Sequence, residues 1–157
     1  VAQRAGVLRG HDALLREHLV HEHHLEKHVL LPGFRLDILG CIKGLDVFVM
    51  SSVTEGLGTS LLDAMACARP IIATRTGGIP EVVEDGVTGI LVPPRDAAAL
   101  ARAMETLLTD APRREQLAAA GFERVRQRFT VERMVAETLD VYSRLKMSSS
   151  NLTRSRR

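Results

Sequence analysis

A chain of 157 residues with 45% hydrophobic content can bury one core but would be crowded by two, so a single domain is expected. Its 21 lysines and arginines face 19 acids, and a formal charge of +2 gives no strong attraction to nucleic acid or an anionic membrane. Cys41 and Cys67 fit neither a disulfide framework nor a close-spaced metal pattern, nothing reads as a signal peptide, and no apolar run spans a bilayer, so reduced thiols and a cytoplasmic setting are expected.

Short apolar runs alternate with longer amphipathic ones, the pattern of an α/β domain on a parallel sheet. Val1–Leu8 makes a poor opening strand, as though the domain began late. A first helix is expected from about Asp12 to Lys27. All six histidines, His11, His18, His21, His23, His24 and His28, lie in this opening stretch, and on one helix His21, His24 and His28 would share a face able to bind zinc or nickel. A solvent-facing polar helix is the simpler account, and no metal site is assigned. Val29-Leu30-Leu31 reads as a strand, with Gly33-Phe34-Arg35 at its end, and Ile38 to Gly44 as a second helix.

Asp46-Val47-Phe48-Val49-Met50 has the apolar, partly β-branched character of a parallel strand covered on both faces. Beyond the turn at Glu55-Gly56-Leu57-Gly58 a helix is expected from about Thr59 to Ala68. The strand Ile71–Thr74 leads into Thr76-Gly77-Gly78 and a short helix, Pro80 to Glu84, with proline in its first turn. Asp85-Gly86-Val87-Thr88-Gly89 is a turn into the strand Gly89–Val92. After Pro93-Pro94 the strands stop, and helices follow from an Asp96 cap to Leu108, from Arg113 to Arg128, and from a Thr130 cap through Val131 to Leu145. Residues 1–146 form the expected domain, and 147–157, with Ser148-Ser149-Ser150 and Arg154, Arg156 and Arg157, a disordered basic tail.

The chemistry concentrates at Glu55 and Asp63. The glycines between them allow close backbone approach, and the first amides of the following helix lack intrahelical partners, so an anion such as phosphate can sit there. Asp63 is the one charged group among Leu61, Leu62, Ala64, Met65 and Ala66 and needs water or a partner. Gly77-Gly78 follows the next strand and would share the same rim, where ligands of open α/β sheets gather. No serine elbow, P-loop lysine or dinucleotide glycine fingerprint is present. A nucleoside diphosphate held by amides, with carboxylates for hydroxyl groups, is the chemistry these residues suggest.

The blocks Asp46–Ser52, Glu55–Gly58, Asp63–Ala66, Pro70–Thr74, Gly77–Glu81 and Asp85–Val92 together resemble the C-terminal, donor-binding half of the GT-B retaining glycosyltransferases of the group 1, or family 4, type. The resemblance covers about residues 28 to 145. It implies a doubly wound, Rossmann-like parallel sheet missing its first strand, with C-terminal helices, and transfer of a hexosyl group from a UDP- or GDP-linked sugar with retention and without a required metal.

Within that resemblance Glu55 is the catalytic residue, contacting donor-sugar hydroxyls, and Asp63 holds the ribose. Amides around Gly56, Leu57, Gly58, Thr59 and Ser60 meet the diphosphate, Gly77 and Gly78 line the pocket, and the backbone of Gly33, Phe34 and Arg35 reads the base. Two features depart from the pattern: Asp63 stands where glutamate is usual, and the arginine and lysine normally set on the diphosphate, near the first strand of this half, are not placed in this sequence. The N-terminal acceptor half is absent, so the chain alone is expected to be inactive, and any membrane association at the inner face would run through that half. The alternative is a truncated, non-catalytic nucleotide-binding or interaction module.

Overall fold

The computed structural model describes residues 12–154. Val1–Leu8, His11, Arg156 and Arg157 lie outside the described residues. Three parallel strands, β1 (Phe48–Met50), β2 (Ile71–Thr74) and β3 (Ile90–Val92), form a sheet in the order β1-β2-β3. Phe48 stands beside Ile71, and Ile72 beside Ile90. Side chains alternate across such a sheet, and both faces are apolar here.

One face carries Phe48, Met50, Ile71, Ala73 and Leu91 into a core with Ile42, Leu61, Met65, Ile79 and Val82. These come from α2 (Ile38–Lys43), α3 (Thr59–Ala66) and α4 (Ile79–Val82). The other face carries Val47, Val49, Ile72, Ile90 and Val92 against Leu100, Ala103 and Leu107 of α5 (Ala97–Thr109). Helix α6 (Ala111–Arg128) serves both, adding Val125 to the first core and Leu117 to the second.

Three helix starts follow the capping chemistry. Asp96 accepts from Ala99 N–H at 2.8 Å and Thr130 Oγ1 from Arg133 N–H at 3.2 Å, as their sequence positions imply. Asp110 caps α6 through Arg113 N–H at 2.9 Å, with Pro112 in the first turn, so α6 begins ahead of the expected Arg113. Helix α7 (Val131–Arg154) runs past Leu145, because serines are weak helix formers rather than breakers.

Two expectations near the start are corrected. No strand forms at Val29-Leu30-Leu31, so among the described residues the sheet has three strands rather than the four expected. A strand needs a neighbour to satisfy its backbone, and among the described residues none pairs beyond β1. Helix α1 (Asp12–Glu22) ends well before Lys27, and His24 sits at φ 54, a left-handed position that breaks the helix. His24 and His28 therefore leave the face of His21, whose Nδ1 lies 2.8 Å from Glu26 Oε1.

Among the described residues no group of three or more His, Cys, Asp or Glu side chains is placed to hold a metal ion. Cys41 and Cys67 are free, partly buried thiols. Among the described residues no helix is long and apolar enough to cross a membrane.

Candidate functional site

Strand β1 delivers the chain to a turn whose glutamate is held against its own backbone. Glu55 is partly buried; its Oε2 accepts from Ser52 Oγ at 3.3 Å and its Oε1 from Gly56 N–H at 3.2 Å. Gly58, at φ 72, precedes α3, and no side chain caps that helix. Leu61 N–H turns back to Gly58 O at 2.8 Å, which leaves the amides of Thr59 and Ser60 at an open helix start. Asp63 lies one turn further along α3, exposed and without a side-chain partner among the described residues.

The second turn, after β2, is laced to the first. Thr74 Oγ1 donates to Ser52 O, Thr76 Oγ1 to Val53 O at 2.9 Å, and Gly78 N–H to Gly56 O at 2.7 Å. A Cβ on Gly77 would stand 1.7 Å from Glu55 O, and one on Gly78 would stand 2.3 Å from Gly56 O. Neither site has room for a side chain. The structure thus joins Glu55, Gly56, Gly77 and Gly78 in one double turn at the C-terminal edge of the sheet, beside the open end of α3.

Gly33, Phe34 and Arg35 lie in the exposed connection before α2. Gly33 takes φ 67, and Arg35 makes a bidentate pair with Asp37 at 2.7 and 2.6 Å. The hydrogen bonds from Arg35 hold the Asp37 carboxyl below its ordinary range. No described hydrogen bond joins Gly33 or Arg35 to the double turn.

The hydroxyls that tie the site together, those of Ser52, Thr74 and Thr76, were not singled out from the sequence. Ser52 bonds a carboxylate three residues on, but Thr74 and Thr76 bond carbonyls at another strand's exit, which no spacing rule reports. A cavity of about 220 Å³ opens at the same sheet edge on the α5 side, lined by Val53, Thr74, Val92 and Leu100. It includes neither Glu55 nor Asp63.

Residues 5–110 match the family of group 1 glycosyl transferases. The chain belongs to that family. It is 42% identical over 106 residues to alpha-maltose-1-phosphate synthase of Mycolicibacterium smegmatis, a stretch covering 63% of this chain and 27% of that protein. Against N-acetyl-alpha-D-glucosaminyl L-malate synthase of Bacillus anthracis the identity is 34% over 124 residues, covering 79% of this chain and 32% of that protein. The chain thus spans 27% and 32% of the length of these curated relatives of the family.

Among solved structures, Anabaena HepE in complex with UDP superposes with a TM-score of 0.78 at 30% identity, over 88% of this chain and 41% of that one. Sucrose-phosphate synthase of Thermosynechococcus elongatus gives 0.78 at 33%, over 88% and 35%. The architecture is that of the C-terminal domain of a GT-B glycosyltransferase, a parallel α/β sheet with helices on both faces.

Proposed function

We propose that this domain holds a nucleoside-diphosphate sugar for glycosyl transfer with retention of configuration. The observation that carries the reading is the double turn: two glycine-tight loops locked together beside the uncapped start of α3, with Glu55 in the first loop and Asp63 in the first turns of the helix. Solved complexes of HepE with UDP and with UDP-glucose support a uridine nucleotide as the first ligand to try.

In this reading the diphosphate meets the amides from Gly56 to Ser60, Asp63 holds the ribose hydroxyls, and Glu55 orients the sugar. Gly33, Phe34 and Arg35 offer backbone to the base. As the bond between the anomeric carbon and the diphosphate breaks, negative charge grows on the departing phosphate, and fixed amides stabilise that charge more in the transition state than in the ground state. The acceptor oxygen bonds to the anomeric carbon on the same face, and its proton passes to the departing phosphate. No divalent cation is required, and the acceptor belongs to a second half that completes the cleft.

Calorimetry tests the donor half directly. The chain is titrated with UDP, UDP-glucose and GDP, with Asp63→Ala in parallel. A hydrogen bond to a charged group contributes about 1.5–3 kcal/mol, so loss of the Asp63 carboxylate should weaken the preferred nucleotide by about tenfold to a hundredfold. Absence of binding to either UDP or GDP would overturn the proposal.

A further inference from the structure

Arg124 lies on α6, remote in sequence from both turns, and its side chain is only 15% exposed. Its Nε donates to Val82 O at 2.8 Å and its Nη2 to Glu81 O at 2.9 Å, while Nη1 lies 3.3 Å from Glu84 Oε2. The two carbonyls belong to the end of α4, where a helix leaves its last acceptors without intrahelical donors. A planar guanidinium meets the two with separate nitrogens in a fixed fork, whereas an ammonium would have to reach both from a single nitrogen. Among the described residues no other side chain bonds either carbonyl.

Helix α4 consists of four residues, so what fixes its end also fixes its start. Its start is Gly78, whose N–H donates to Gly56 O at 2.7 Å beside Glu55. On the same helix as Arg124, Gly121 approaches Met65 of α3, where a Cβ would stand 3.5 Å from Met65 Cγ. Helix α6 therefore grips the α4 end of one turn and packs on the helix that begins at the other.

We infer that Arg124 is a positioning residue: through α4 and Gly78 it sets where the Glu55–Gly56 turn stands. The consequence for ligand binding rests on the donor reading above, whereas the mechanical coupling does not. Glu84 sits at the periphery of this contact, because its carboxylate is exposed and the carbonyl bonds do not pass through it.

The test combines amide hydrogen exchange by NMR with UDP calorimetry on Arg124→Met, Arg124→Lys and Glu84→Gln. In Arg124→Met the Gly78 amide should exchange about tenfold faster relative to the β2 amides of Ile72 and Ala73, because a local opening is read separately from global unfolding. UDP affinity should fall by about fivefold or more, and Arg124→Lys should fall between this variant and the wild type, since it keeps the charge without the fork. Glu84→Gln should match the wild type. Should Arg124→Met fail to fold, Arg124→Lys carries the comparison.

Gly78 exchange that stays at the wild-type rate, or rises only in step with Ile72 and Ala73, would overturn the positioning role. A wild-type chain that does not bind UDP while Gly78 still responds to Arg124 would remove the donor reading and leave the coupling standing.

Discussion

Gly77 and Gly78 are glycines for different reasons, and the difference can be measured. Gly77 takes φ +52, where an L side chain is strained whatever the space, and a Cβ there would also strike Glu55 O. Gly78 has an ordinary backbone at φ −80, so only the 2.3 Å approach to Gly56 O demands glycine. Gly78→Ala therefore isolates the steric term. It should cost about 1–3 kcal/mol of stability, as overpacking does, and push the Glu55 turn away from Gly78. A denaturant midpoint and UDP calorimetry check it, and an alanine variant that binds UDP like the wild type would show that the fused turns are not the ligand site. The sequence placed these glycines on one rim with Glu55 because both loops follow parallel strands. It could not reveal that Thr74 and Thr76 bond across to Ser52 O and Val53 O.

At the scale of elements, the existence of the helices and two of their capped starts were the legible part, because those signals are written locally. Asp96 and Thr130 carry their caps in the sequence, and the hydroxyl or carboxylate needs only an amide three residues on. Val29-Leu30-Leu31 failed as a strand because strand formation depends on a neighbour that no local pattern supplies. The α1 terminus depended on one left-handed residue, His24, inside a histidine-rich run that still reads as helical. The packing of α6 on α3 was equally hidden. Gly121 is buried at their contact, where an added Cβ would meet Thr88 O at 3.4 Å and Met65 Cγ at 3.5 Å. These are ordinary contact distances, so Gly121→Ala should gain about 0.5–1 kcal/mol from helix propensity. Gly121→Leu should destabilise by about 1–3 kcal/mol by forcing the helices apart. Thermal unfolding of the pair checks the sign of each. A destabilising alanine would mean that the helices are closer than this packing allows.

For the whole molecule, the two faces of the sheet divide the work. The α5 core is built from Ile72, Val92, Leu107 and Leu117, whereas α3 and α4, which begin at the two turns, pack in the opposite core. A nucleotide seated at those helix starts would bind only the folded chain and stabilise it by mass action. At a hundredfold excess over Kd the gain is about 2.7 kcal/mol, and at about 2–4 °C per kcal/mol for a chain of this size Tm should rise by about 5–10 °C with UDP. At that same concentration Asp63→Ala, with its tenfold to hundredfold weaker Kd, should show about half that shift or less. The same shift should survive EDTA, because amides at the start of α3 rather than a divalent cation carry the diphosphate in this reading. A shift that EDTA abolishes and magnesium restores would place a metal ion on the phosphates and remove that part of the mechanism, while leaving the nucleotide in the site.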